Sequence, residues 1–392
     1  MDSSWYEKVA KNKESENYRR NYMKTFGVIS CNIHVNFTNY GSALQSWALC
    51  RAIEKFGYCA KLVDYCPPMQ EDRDILNPQK FMWDTDEDSR RNLELTMPAL
   101  RVNYHKFNTF YSTRFNRTEK EYRSDNFNSI AEEGIDGFVC GSDTIFCIDE
   151  WKGFEDAYFA EYPVMKNSYA VSYAASFGDA HFNGDSYKVL NQRLPNFKYL
   201  GIRENKMIPY IRENINVPVF RTIDPTLLLT AEDYKEITAP RIEKEKYLLL
   251  YARRYNKKMF DYADRIAKER GWKVIDISLR AENAGRHRMA YDAGVEEFLS
   301  LVKNCEYMVT NSFHGLIFAT HFCRPFVAFS RESGDSKIAE LLDLFGLGER
   351  LIIAGNEPMA ESIDFEEVHR RIASERIDSL NFLKEELDGI AL

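Results

Sequence analysis

The sequence predicts an α/β protein made of two Rossmann-like αβ domains that face a cleft, with a C-terminal helix that packs back on the first domain. Two observations support this fold class. Apolar, β-prone segments alternate with helical segments along most of the 392 residues, which is typical of parallel sheets covered by helices. A polar stretch at 227–246, which contains Pro240, interrupts the alternation, and a second αβ series follows it.

The first series opens with a strand–helix–strand unit. Residues 26–32 and 59–65 are predicted strands. The helix between them, 41–57, has Ser42 near its cap position and ends at Gly57, which fits the usual start and stop signals of helices. Four further strands are predicted at 135–143, 168–177, 198–205 and 217–229.

Residues 66–130 break the rhythm of the first series. The stretch is rich in aromatic and charged side chains, and we predict an insertion of short helices and loops that could form a lid. The predicted organisation is a polar N-terminal extension (1–24), a first αβ domain (25–230), a second αβ domain (231–364) and a C-terminal helix (365–392).

The second series has the same alternation. Its predicted strands are 247–252, 273–278, 305–311 and 324–330, the last of which closes the series. Its predicted helices are 257–271, 294–304 and 312–322. In the tail, five apolar residues fall on roughly one helical face: Phe365, Val368, Ile372, Leu380 and Leu383.

Composition excludes several classes of protein. Hydrophobic residues make up 44% of the chain, as in globular proteins. The net charge of −8 argues against a nucleic-acid-binding protein, which would show a basic face. The eight cysteines form no CxxC pair, so we expect free thiols in a reducing compartment.

The sequence predicts no metal site and no membrane span. It contains no HExxH motif and no run of about 18 apolar residues. The N-terminal stretch has mixed charge and no apolar core, so it does not resemble a signal peptide. We expect a cytoplasmic protein, with peripheral membrane association left open and the oligomeric state not predicted.

His314 stands at the seam between a predicted strand and the helix that follows it. Asn311 or Ser312 can cap this helix with a side-chain oxygen, which puts His314 and Gly315 in its first turn. Helix N-termini attract anions, and a histidine there can donate to an anion or move a proton near neutral pH. The alternative is a core histidine beside an ordinary helix cap.

A second candidate turn lies at the end of the predicted strand region 135–143, where "GFVC" runs into Gly141, Ser142 and Asp143. Gly141 allows close approach of the backbone, and Ser142 and Asp143 offer polar groups at the strand end. Asp143 could orient a sugar hydroxyl or accept its proton; the alternative is a turn that leads into a helix cap.

The loop before the first helix has the shape of a phosphate cradle. It lacks both GxGxxG and GxxxxGK, which argues against a dinucleotide or P-loop site. Asn39, Tyr40 and Gly41 are its candidate ligand-binding residues.

Cationic side chains also follow predicted strands. Arg203, next to Glu204, can clamp a carboxylate or phosphate with two hydrogen bonds, or it can form a surface ion pair. Arg253 follows the first strand of the second domain, and Arg331 lies in a polar loop after a later strand. His321, deep in an apolar helix, is interpreted as structural.

An ordered set of motifs resembles the polysaccharide pyruvyl transferase family. The segments are "NYGSALQSWALCRAIEKFG", "GFVCGSD", "SYAASFG", "GIREN", "DPTLLL", "GVEEFLSLVKNCEYMVTNSFHGLIFA" and "RPFVAF". They run in the family's order from about residue 26 to residue 345.

The resemblance implies a GT-B-like fold and a specific chemistry. The family moves pyruvate from phosphoenolpyruvate onto sugar hydroxyls, typically as a cyclic ketal, without a further cofactor. By resemblance His314 is the general acid or the donor of a hydrogen bond to phosphate, and Arg203 grips the phosphate or the carboxylate. Many members carry Arg-Leu where this chain has Ser312-Phe313. Arg253, Arg331 or Lys337 could replace the missing arginine.

Three functional hypotheses follow. The first is a pyruvyltransferase that acts on a lipid-linked or nucleotide-linked glycan precursor. The second is a glycosyltransferase of the same architecture that uses a nucleotide-sugar, although the sequence shows no clear motif for a base and a ribose. The third is a sugar-binding protein without activity.

Overall fold

The computed structural model describes residues 23–35, 37–74, 76, 87–253, 256–277, 283–330, 336–353 and 362–391. Within these ranges the chain forms two six-stranded sheets in which neighbouring strands run parallel. Residues 1–22 of the predicted polar extension lie outside the described ranges.

The first sheet has the strand order β2-β1-β3-β4-β5-β6. Its strands are β1 (Thr25–Ile29), β2 (Cys59–Leu62), β3 (Gly137–Cys140), β4 (Tyr169–Ala175), β5 (Leu200–Ile202) and β6 (Val219–Arg221). The order reverses between β1 and β3. In open parallel sheets, ligands bind beyond the carboxyl ends of the strands at such a reversal.

The second sheet has the order β12-β11-β10-β7-β8-β9. Its strands are β7 (Tyr247–Tyr251), β8 (Lys273–Asp276), β9 (Arg288–Met289), β10 (Tyr307–Thr310), β11 (Phe326–Phe329) and β12 (Leu351–Ile352). Read from β9, this is the 3-2-1-4-5-6 order of a Rossmann domain, and its reversal lies between β7 and β10.

Helices connect these strands. They are α1 (Tyr40–Lys55), α2 (Glu87–Arg114), α3 (Ile148–Trp151), α4 (Pro163–Lys166), α5 (Gly184–Arg193), α6 (Ile208–Asn214), α7 (Lys257–Arg270), α8 (Val295–Asn304), α9 (Phe313–His321), α10 (Ser336–Phe345) and α11 (Phe365–Asp388). The prediction that 324–330 closes the second series is wrong, because α10 and β12 follow it. β9 was also missed, since a two-residue edge strand carries almost no pattern.

The insertion differs from the prediction of short helices. Much of it is one helix of 28 residues, α2, with Pro98 inside it. Its buried residues Leu100, Asn103 and Phe107 share one face. Asn103 Nδ2 donates to the Ala293 carbonyl at 2.5 Å, and Arg114 pairs with Glu296 of α8. The helix therefore connects the first domain to the second. Its buried face is explained by contact with the second domain and not by a local pattern.

The C-terminal helix packs back on the first domain, as predicted. The Ile223 backbone N–H donates to Ser379 Oγ at 3.1 Å, and the Tyr169 hydroxyl donates to the Glu386 carbonyl at 2.6 Å. Val368, Ile372 and Leu383 are buried, whereas Phe365 and Leu380 are partly buried. No helix among the described residues is long and apolar enough to cross a membrane. The eight cysteines are free.

Candidate active site

The strand-end residues singled out from the sequence meet where the two domains touch. Asp143 follows β3, Arg203 follows β5, and His314 lies in the first turn of α9 after β10. Arg203 Nη2 is 4.0 Å from Asp143 Oδ1. Asp224, which follows β6, contacts both Arg203 and His314. The carboxyl ends of the two sheets therefore share one cluster of polar side chains.

His314 is almost enclosed, with 8% of its surface exposed. Its Nε2 lies 3.5 Å from Asp224 Oδ2, and within the described residues it has no partner with hydrogen-bond geometry. Its Nδ1 faces α1, where a Cβ built on Gly41 would be only 2.0 Å away. The ring is therefore held between a first-domain carboxylate and a glycine.

Arg203 is buried among three carboxylates. Its Nε donates to Glu204 Oε1 and its Nη1 to Asp224 Oδ2, both at 3.0 Å, and its guanidinium lies over the Phe313 ring at 4.9 Å. Burial lowers the pKa of Arg203, but the carboxylates of Glu204, Asp224 and Asp143 outweigh burial and raise it. The sequence alternative of a surface ion pair is thus wrong, because this ion pair is buried.

Asp224 was missed as a site residue. It lies in the quoted segment "DPTLLL", inside the range 217–229 that is predicted as a strand, so the local pattern gives no signal of a site there. Its Oδ1 accepts from the Thr226 backbone N–H at 3.0 Å and from the Thr226 hydroxyl at 2.6 Å. Burial raises the pKa of Asp224, but His314 and Arg203 hold it well below its ordinary value. The carboxylate is therefore ionised.

The turn after β3 needs its glycine. Gly141 has a φ of 147°, and a Cβ there would lie 1.9 Å from the Tyr173 carbonyl oxygen. Ser142 is buried, and its hydroxyl donates to the Ala174 carbonyl at 2.9 Å, so it holds the turn. Asp143 Oδ2 accepts from the Ser42 hydroxyl at 3.1 Å.

Asp143 is also ionised. Burial raises its pKa, but Arg203, His314 and Lys337 together lower it below the ordinary value. Ser42 had been expected near the helix cap; the structure places it in the first turn of α1. The N-cap is Asn39, whose side chain accepts from the Gly41 backbone N–H.

Tyr40 joins the two domains. Its hydroxyl donates to the Ala293 carbonyl at 2.7 Å, and its ring stacks on Phe298 with centroids 4.5 Å apart. The structure thus places the predicted ligand-binding residue Tyr40 in the domain interface, 4% exposed.

The second domain contributes its own polar groups. Ser312 caps α9 by accepting from the Gly315 backbone N–H at 3.2 Å, whereas Asn311 Oδ1 accepts from the Arg253 backbone N–H at 2.6 Å. The Arg253 guanidinium lies 4.6 Å from the centre of the Phe37 ring of the first domain.

Gly315 is closely packed at this seam. A Cβ there would lie 2.8 Å from the Thr310 hydroxyl oxygen, so it keeps α9 close to β10. The predicted site residue Arg331 lies outside the described residues.

A crevice of about 370 Å³, counted out to its open mouth, lies beside the cluster. Arg203, Glu204, Asp224, Phe313 and Lys337 line it. Lys337 is in the first turn of α10, where free N–H groups add to its positive charge. The crevice can therefore accept an anion on one side, although carboxylates crowd the other.

Three side chains outside this cluster are arranged like the ligands of a metal site. Among the described residues, ligand atoms of His34, Asp64 and Glu121 lie within 4.8 Å of one another. Arg117 already pairs with Asp64. Burial lowers the pKa of His34, but the Asp64 carboxylate at 2.6 Å and the Cys66 side chain together outweigh burial and raise it to about 9. A protonated histidine and an arginine neutralise these carboxylates, so we describe the group as an ion-pair network.

Two Rossmann-like domains that meet at the carboxyl ends of their sheets define the GT-B class of fold. Among solved structures the chain is similar to UDP-GlcNAc 2-epimerase from Methanocaldococcus jannaschii, with a TM-score of 0.51, 14% identity, and coverage of 89% of this chain and 92% of that one. It also matches ADP-heptose LPS heptosyltransferase II of E. coli, with a TM-score of 0.35, 12% identity, and coverage of 91% and 99%. The likeness to the epimerase concerns the fold alone. No curated protein matches.

Residues 39–333 match the family described as polysaccharide pyruvyl transferase. The chain belongs to this family of transferases, which confirms the family and the fold class that the sequence motifs predicted.

Gly41→Ala should displace His314, because the added methyl group would overlap the ring at 2.0 Å from Nδ1. A displacement of about 1 Å in a reacting group can cost roughly 10²-fold in rate, and we expect a loss of turnover of that order. Steady-state kinetics will measure it. Gly184→Ala is the matched control, since a Cβ there meets nothing within 4 Å. Equal turnover in both variants would show that the close contact between Gly41 and His314 is not needed for catalysis.

Proposed function

We propose that this protein transfers pyruvate from phosphoenolpyruvate to two hydroxyls of one sugar in a glycan or polysaccharide precursor, forming a ketal, and that it acts in the cytoplasm. The observation that carries the proposal is the convergence of His314, Arg203 and Asp143 on one largely buried cluster between the domains. We propose a lipid-linked or nucleotide-linked precursor as the acceptor.

The proposed reaction has two stages. A sugar oxygen attacks C2 of the donor while Asp143 accepts the hydroxyl proton, and C3 gains a proton from His314. The adduct then carries a methyl group, a carboxylate, the phosphate and one sugar oxygen on C2. A second hydroxyl displaces the phosphate; its proton passes to His314, and the departing phosphate takes the proton held by Asp143, so both side chains regain their starting states. The products are a ketal and inorganic phosphate.

Charge limits where the donor can lie. Asp143, Glu204 and Asp224 already surround Arg203, so its positive charge is largely used within the protein. Phosphoenolpyruvate brings about three negative charges, which need charge-assisted hydrogen bonds. We therefore assign the phosphate to the side of the crevice that holds Lys337 and the start of α10, and the carboxylate to Arg203.

Ligand-induced stabilisation tests the donor. A ligand present at about 100 times its dissociation constant raises the free energy of unfolding by about 2.7 kcal/mol. Phosphoenolpyruvate should raise the melting temperature of the wild type and should do so less in Lys337→Met. Lys188→Met, which removes an exposed lysine of α5, is the matched control.

A turnover assay follows from the same proposal. Incubation with phosphoenolpyruvate and carrier-linked glycans should release phosphate and give a pyruvylated glycan by mass spectrometry. If a UDP-sugar stabilises the protein and phosphoenolpyruvate does not, the pyruvyl-donor assignment fails and the glycosyltransferase hypothesis replaces it.

A further inference from the structure

We propose that Asp224 is the positioning residue of the transferase site: it orients the His314 ring across the boundary between the domains through the contact of its Oδ2 with His314 Nε2. Nothing in the sequence motifs distinguishes Asp224 from an ordinary turn-capping aspartate. The inference rests on the proposed function in one respect: the proposed reaction requires His314 to deliver a proton.

The geometry makes Asp224 a fixed anion. Its side chain is fully buried. Both bonds from Thr226 go to Oδ1, and Arg203 holds Oδ2 from the side of β5. Three donors thus hold the carboxylate in place before His314 is considered, so its position does not depend on the histidine.

The histidine depends on the carboxylate instead. His314 Nε2 is buried, and within the described part of the chain it lacks a hydrogen-bond partner, yet Asp224 Oδ2 is 3.5 Å away. Catalytic hydrogen bonds are often long in free enzymes and shorten when substrate binds. A shift of a few tenths of an ångström would bring the two atoms to bonding distance. Asp224 follows β6 of the first domain, and His314 lies on α9 of the second domain. A hydrogen bond between them therefore requires that the two domains stay in contact.

Two carboxylates interact electrostatically with His314: Asp143, which follows β3, and Asp224, which follows β6. Lys337 lies in the first turn of α10, and α1 contributes the uncharged Gly41. Of the two carboxylates, Asp224 has the direct ion-pair contact with the imidazole. Because both partners are buried, this interaction is screened less than the same contact in water.

Imidazole NMR tests the proposal without any substrate. Long-range proton–nitrogen spectra show which ring nitrogen carries a hydrogen, and a carboxylate that accepts from Nε2–H fixes the tautomer and the orientation of the ring. Asp224→Asn keeps the shape but removes the charge, so the ring nitrogen resonances of His314 should change. His314→Gln identifies these resonances by their disappearance. Asp233→Asn is the matched control, because Asp233 accepts from the Thr230 backbone N–H and pairs with Lys55, and it should leave them unchanged.

Steady-state kinetics give the second readout. A positioning residue acts on the chemical step, so Asp224→Asn should lower kcat more than it raises KM for phosphoenolpyruvate. If Asp224→Asn does not fold, Asp224→Glu keeps the charge and should keep the wild-type ring resonances of His314, and changed resonances there overturn the proposal. Unchanged resonances in folded Asp224→Asn also overturn it. Changed resonances without turnover of phosphoenolpyruvate support Asp224 and refute the proposed donor.

Discussion

His314→Gln is expected to lower turnover on the order of 10²–10⁴-fold, the usual contribution of a positioned acid or base. Glutamine keeps much of the size and the hydrogen-bonding capacity of histidine but cannot titrate. The ring lies between Asp224 and Gly41, so glutamine can occupy the same space. Steady-state kinetics of pyruvyl transfer, with a thermal melt to confirm folding, will measure the effect.

His369→Gln is the matched control. His369 lies on α11, and its Nε2 donates to the Thr320 carbonyl at 3.0 Å, outside the polar cluster. We expect its turnover to stay near that of the wild type. Wild-type turnover in His314→Gln would assign His314 to packing of the domain interface and would remove it from the reaction.

Arg203→Leu is expected to lower the free energy of unfolding by about 3–5 kcal/mol, the usual result of removing one partner from a buried ion pair. The variant would leave Asp143, Glu204 and Asp224 near one another without the guanidinium. The same variant should bind phosphoenolpyruvate roughly 30-fold more weakly or worse, because the donor carboxylate also loses a charged partner. Chemical denaturation and calorimetry will measure the two effects.

The loss of stability in Arg203→Leu should depend on pH. Arg203 helps to hold the pKa of Asp143 and of Asp224 below the ordinary value, so the stability it provides is present above roughly pH 4 and is lost as pH falls. The difference in the free energy of unfolding between variant and wild type should therefore become smaller at acid pH. Arg370→Leu removes an exposed ion pair with Glu367 and should change the free energy of unfolding little at any pH. A difference that stays constant with pH would mean that lost packing against Phe313 dominates.

Much of the fold could be predicted because strands and helices bury their side chains with different periods. The alternation of apolar segments located ten of the twelve strands, and strand ends are where parallel sheets bind ligands. His314, Arg203 and Asp143 were found by that rule. The misses include β9 and β12, two-residue strands that carry almost no pattern, and the full length of α2, whose buried face contacts the second domain.

The sequence by itself determined the two αβ series, the family, and the polar residues that end the strands. Only the tertiary structure decided what each of these residues meets. Asp224 contacts His314, 90 positions further along the chain, and Tyr40 reaches the Ala293 carbonyl across 253 positions. A local pattern records which side of an element is buried, because burial repeats with the period of the backbone. It does not record which strands become neighbours in the sheets. The order of the strands is what places the Asp224 carboxylate beside His314.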